Sequence, residues 1–133
     1  MTREFIDFVN AHLKDDTSRL LLSAARYPSI DMGAAVQQIE GLRTAVEKWP
    51  SLLKCREFEY PPRLNREQSS SEWTARHKAK VARELCRGKE RIAIADLTGG
   101  MGIDSIAFAQ MQLGKEGWKR KLLTWSATLT CAA

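Results

Sequence analysis

The run Ile94-Ala95-Asp96-Leu97-Thr98-Gly99-Gly100-Met101-Gly102-Ile103-Asp104 constrains this chain more than any other part of it. Just ahead of the glycines, Arg91-Ile92-Ala93-Ile94-Ala95-Asp96 is a short apolar stretch that suits a buried parallel strand. Glycines past a strand let the backbone turn tightly, and their missing Cβ atoms let a ligand lie against bare main chain. A helix starting near Asp104, with Ile106, Ala107 and Phe108, would offer N–H groups to a polar or anionic ligand group. Strand, glycine turn and helix, in that order, open a doubly wound α/β sheet.

Several ligand classes compete for such a loop. A phosphate-binding P-loop fails because no Gly-Lys-Ser/Thr follows the glycines. A dinucleotide fingerprint can be forced through Gly100-Met101-Gly102-Ile103-Asp104-Ser105, but Ser105 then occupies the third glycine position. An acid closing the strand just before the glycines, here Asp96, fits S-adenosylmethionine better. A plain strand-to-helix turn is the bland alternative.

The first half reads as short helices. Thr2 caps one with Phe5, Ile6, Val9 and Leu13 at helical spacing. Asp16 or Thr17 opens a second with Leu20, Leu21 and Ala24, stopped by Pro28. Asp31 caps a third through Ala35, Ile39, Leu42 and Val46, ending at Trp49-Pro50. These stripes are read as core, with no catalytic pattern in them. Pro61-Pro62 blocks helix continuation and favours an extended connector. The expected organisation is a helical N-terminal domain over 1–60 and a second domain starting at 61 and running to 133.

After that connector, Ser69-Ser70-Ser71 with Glu72 and Thr74 makes a helix start, and Gly88 suits the position just past the helix end. On this helix Arg76, Lys80, Arg83 and Arg87 form one basic stripe. The charge of the whole chain resides there. Residues 63–91 hold 9 Lys/Arg against 4 Asp/Glu, whereas 1–62 hold 8 against 9 and 92–133 hold 4 against 3. A localised basic segment suits a phosphate-bearing partner such as RNA, or else is a solvated helix face. Two acids, Glu72 and Glu84, interrupt the segment, and no aromatic lies within the stripe itself.

Cys55, Cys86 and Cys131 are odd in number and scattered, which argues for packing residues rather than a disulfide framework or zinc site. With only His12 and His77 to add, no metal is expected. No apolar run approaches the ~20 residues that span a bilayer. The N-terminus lacks a signal-peptide core, so a cytoplasmic protein is expected.

Glu67-Gln68-Ser69-Ser70-Ser71-Glu72-x-Thr74-Ala75-Arg76-x-Lys78, followed by the Asp96–Asp104 loop, resembles a bacterial family of class I S-adenosylmethionine-dependent methyltransferases. Members of that family carry an N-terminal helical region, the methyltransferase core and a C-terminal THUMP-like domain. Asp31-Met32 and Tyr60-Pro61-Pro62 match as well, so the resemblance covers residues 1 to about 110. It implies S-adenosyl-L-methionine as cofactor and an RNA substrate. By position it implies Asp96, Gly99, Gly100 and Gly102 at the cofactor, with Thr98 and Asp104 as loop neighbours. It also implies that Ser71, Thr74 and Lys78 lie beside the pocket. Tyr60-Pro61-Pro62-Arg63 superficially resembles the Asn/Asp-Pro-Pro-Tyr motif of amino-methyltransferases, but it has Tyr where an amide or carboxylate is needed, so a plain linker is expected.

The expected fold is therefore an α-helical N-terminal domain followed by the first β-α unit of a Rossmann-like α/β fold, mostly α overall. Residues 112–133 depart from the family: they show no strand ending in Asp or Glu, and 122–133 contain no acid. Two explanations stay open, a frame-shifted readout of the family's second strand or a natural short homologue with a divergent tail. The expectation is an N-terminal part of an RNA methyltransferase, inactive alone, with catalytic residues unknown. The alternative is a small helical RNA- or protein-binding module without catalysis, its contact the Arg76/Lys80/Arg83/Arg87 stripe.

Overall fold

The computed structural model describes residues 1–55, 57–89, 94–97, 100–112 and 123–124. It is mostly helical: α1 (Arg3–Ala11), α2 (Thr17–Leu22), α3 (Met32–Lys48), α4 (Arg63–Gln68), α5 (Glu72–Leu85) and α6 (Ile103–Gln112). Two-residue strands β1 (Ala95–Asp96) and β2 (Leu123–Thr124) flank α6 in sequence. They pair in parallel, Ala95 with Leu123 and Asp96 with Thr124. The chain divides into two compact units, Met1–Glu67 and Gln68–Ala133.

Helix starts in the first unit are set by side chains that accept otherwise unpaired N–H groups. Thr2 Oγ1 accepts from the Phe5 amide at 3.3 Å, and Asp31 Oδ1 accepts from Ala34 at 3.0 Å. Asp16 Oδ1 accepts from Arg19 at 3.0 Å. That bond holds the Asp16 carboxyl below the ordinary carboxylate range. α2 stops at Leu22 and a 3₁₀ turn over Ala24–Arg26 follows, so this helix ends earlier than Pro28 requires.

α3 is the spine of this unit. Ala35 and Ile39 pack with Val9 of α1, and Phe5, Phe8, Leu13, Ile30 and Leu42 close round them. A second cluster joins Leu20 of α2 to Met32 and Val36, with Phe8 and Tyr27 at its edge. Val46 was expected to continue the stripe but is 63 % exposed, because the buried face of α3 continues through Ala45 and Trp49 instead. Leu21, likewise read as core, is exposed because α2 turns Leu20 and Thr17 toward α3.

The segment after Pro50 folds back along α3. Gln38 Nε2 donates to the Phe58 carbonyl at 2.7 Å, its Oε1 accepts from the Tyr60 amide at 3.0 Å, and Gln37 donates to the Tyr60 carbonyl at 2.9 Å. Tyr60 is a core residue and no plain linker: it is 2 % exposed, and its ring base lies over Gly41. Burial pushes the Tyr60 hydroxyl above its usual pKa. Arg66 is buried too, donating to Glu40, Pro61 and Gln37. These bonds tie residues 58–66 to α3, and the first unit accordingly extends to Glu67, beyond the expected break at 60.

In the second unit α5 packs along α6 through small side chains, burying Ala75 and Ala79. α6 contributes Ile103, Ser105 and Ala107 to the buried set. Cys86 is a free thiol. Cys131 lies outside the described residues.

Candidate functional site

The site expected from the glycine loop lies where β1 runs into α6. Asp96 ends the strand and is half-buried. Its Oδ2 accepts a hydrogen bond from Ser105 Oγ at 3.0 Å. Ser105 is 4 % exposed, so the strand-end carboxylate is fastened to the first turn of the following helix. Gly100 and Gly102 lie between them with φ of 49° and 73°, a left-handed backbone that side-chain-bearing residues rarely adopt. Gly102 also accepts the Ile106 amide at 2.8 Å, which starts the helix. Thr98 and Gly99, both expected at the cofactor, lie outside the described residues.

A second polar group gathers at the same helix start. Asp104, in the first turn of α6, is placed where a negative charge opposes the helix dipole. Its Oδ2 accepts from Ser70 Oγ at 2.8 Å and from Lys78 Nζ at 2.9 Å, while Lys78 also donates to Ser70 Oγ at 2.8 Å. Asp104 Oδ1 is buried and has no hydrogen-bond partner among the described residues. A buried carboxylate oxygen without a donor is costly unless something supplies one.

Of the other residues expected beside the pocket, Ser71 caps α5 by accepting from the Thr74 amide at 3.1 Å. The Ser71 and Thr74 hydroxyls share a bond of 3.0 Å. Lys78 is brought to the α6 start, whereas Ser71 and Thr74 serve the start of α5. Ser70 and Ser105 belong to the polar network and were not among the expected residues. The usable signal for Ser105 was a hydroxyl one turn into the helix that follows a strand-ending acid.

The basic stripe is divided. Arg76 pairs with Glu72 at 3.2 Å and Arg87 pairs with Glu84. Lys80 and Arg83 are exposed and have no ion-pair partner among the described residues. Arg87 is not on the helix as expected, because α5 ends at Leu85 with Cys86 as cap and Arg87 falls in the turn before Gly88, whose φ is 82°. The helix also places Trp73, 81 % exposed, one turn ahead of Arg76.

A groove of about 830 Å³ in the first unit, lined by Phe5, Val9, Leu42, Phe58 and Tyr60 among others, contains none of the expected site residues. Among the described residues no three His, Cys, Asp or Glu side chains gather as metal ligands, and no helix is long and apolar enough to cross a membrane. No family model, curated protein or solved structure matches the chain.

Proposed function

We propose that the end of β1, the glycine turn and the start of α6 form part of an S-adenosyl-L-methionine site, in a methyltransferase acting on RNA. The observation that carries this reading is Asp96, a strand-ending carboxylate fastened by Ser105 beside the left-handed Gly100 and Gly102. The parallel return of β2 beside β1 after α6 supports a Rossmann-like reading of this region, since a parallel pair needs a crossover of this kind.

The donor and acceptor set suits the cofactor. Its methionine end carries an ammonium and a carboxylate; the half-buried Asp96 is an acceptor for the former. Amides at the start of α6 and Lys78 are donors for the latter. When bound, the cofactor supplies an electrophilic methyl on a sulfonium. The chain's residues bind and orient it, and no side chain is assigned to the acceptor of the methyl group.

Calorimetric titration with S-adenosylmethionine tests the reading. Binding in the micromolar range is expected, weakened about tenfold to a hundredfold in Asp96→Ala, the range for losing a hydrogen bond to a charged group. No heat of binding, or equal affinity in the variant, contradicts it. A second reading, an RNA-binding helical module without catalysis, is favoured by Lys80 and Arg83 standing unpaired. It gains if cofactor binding is absent while salt-sensitive RNA binding remains.

A further inference from the structure

We infer that the exposed face of α5 is a docking surface for a single strand of RNA, with Trp73 as the stacking platform and Lys80 and Arg83 as the phosphate contacts. The RNA class rests on the function proposed above; the surface itself rests on the geometry that follows.

From Trp73 to Arg83 the sequence holds four Lys/Arg and no acid, and Glu84, the next residue and on the same face, is paired with Arg87. α5 turns its small residues inward, with Ala75 and Ala79 buried, and this sends the longer side chains to solvent. Residues three and four apart on a helix are neighbours, and seven apart complete about two turns. Trp73 therefore lies beside Arg76 and His77, with Lys80 nearly in line two turns on and Arg83 a further turn along but about 80° round the helix, on the Arg76 side. Lys78 faces elsewhere, engaged with Asp104. Arg76 is held by Glu72, which leaves Lys80 and Arg83 as the available cations of the face.

An indole exposed to 81 % is the less ordinary half of the arrangement. Large aromatics are mostly withdrawn from water, and an exposed one next to cations has the composition of a strand-binding surface. The cations attract the phosphates without reading sequence, and the indole accepts the face of any unstacked base. A duplex keeps its bases stacked and offers Trp73 nothing but phosphates, which is why the surface fits a single strand. A protein partner or a second copy of the chain would use the apolar row that runs from Trp73 to Val81 and Leu85, on the side of Trp73 opposite Arg83, and its binding would not depend on Lys80 and Arg83.

The test is fluorescence anisotropy of a short fluorescein-labelled single-stranded RNA with the full chain, repeated across salt concentrations. Trp73→Ala is expected to weaken binding about ten- to a hundredfold, the loss of one stacked base, and Trp73→Phe to restore most of it. Lys80→Ala and Arg83→Ala are each expected to reduce the slope of log affinity against log salt by about 0.7. Far-UV circular dichroism confirms that α5 persists in each variant. Asp96→Ala leaves this binding in place, so a failed cofactor site and a failed RNA surface are read separately. No binding at low salt, a Trp73→Ala variant that binds like the parent, or a duplex bound as tightly as the single strand overturns the proposal. Self-association abolished by Trp73→Ala in the absence of RNA binding overturns it too.

Discussion

Replacing Arg66 by alanine is expected to destabilise the first unit by about 3 kcal/mol, the lower end of the range for breaking a buried ion pair from one side. The Arg66 side chain is 4 % exposed and makes three bonds at once: to Glu40 Oε2 at 2.9 Å, to the Pro61 carbonyl at 2.8 Å and to the Gln37 carbonyl at 3.3 Å. Its own carbonyl accepts from Lys48 Nζ at 2.8 Å. A planar, permanently charged fork suits this three-way junction, and lysine does not reproduce it. Glu40 is 37 % exposed and rehydrates once its partner is gone, which is why the loss stays near 3 kcal/mol rather than 5. For a unit of this size the corresponding fall in Tm is roughly 12–24 °C. Thermal unfolding followed by circular dichroism checks it. A fall of a few degrees would show that the α3 to α4 junction contributes little.

Gly41→Ala sets two effects against each other. Helix propensity alone favours alanine in the middle of α3 by about 1 kcal/mol. Sterics oppose it: a Cβ at Gly41 would lie 2.2 Å from Tyr60 Cβ and 2.3 Å from Tyr60 Cγ. Those atoms are at the base of a buried ring and cannot swing aside. Relief requires moving the backbone of residues 58–62, which strains the bonds from Gln37 and Gln38 to Tyr60 and Phe58. Overpacking of this severity costs about 3 kcal/mol, so the net effect is a loss of about 2 kcal/mol. Urea denaturation gives the value. In a Tyr60→Ala background the same substitution is expected to cost little or to stabilise, and the difference isolates the clash. A stabilising Gly41→Ala in the parent protein would mean that Tyr60 does not sit on this notch.

Both predictions involve residues whose sequence context misleads. Arg66 falls in the basic segment and reads as solvated. Tyr60 stands before two prolines and reads as linker. Each is fixed by partners more than 15 residues away along the chain, and no local pattern carries that information. Locally determined features were legible. Thr2, Asp16, Asp31 and Ser71 cap the helices they precede because a cap bond closes within three residues. The glycine turn at 100–102 was legible for the same reason: positive φ is a property of the residue itself.

Between these extremes lie features set by which side of a helix its neighbours cover, as where α3 buries Ala45 and Trp49 in place of Val46. The stripe Ala35, Ile39, Leu42, Val46 has one period throughout, yet only its first three members are covered. At the candidate site, Asp96 followed from its place at the strand end, and Asp104 from the family resemblance. Ser70 needed the packing of α5 against α6 before its hydroxyl could be placed on Asp104. Trp73 was separable from the basic stripe in sequence and became part of the same face only once α5 was in place.

The central claim is that the turn between β1 and α6 receives S-adenosylmethionine, and the most direct measurement is of the amide resonances of that turn. In two-dimensional ¹H–¹⁵N spectra of the labelled chain, titration with the cofactor is expected to shift the Gly100, Gly102 and Asp104 amides together. Those of α1 to α3 should stay fixed, and the shifts should be absent in Asp96→Ala. Unmoved glycine amides at saturating cofactor, or shifts confined to the first unit, would contradict it.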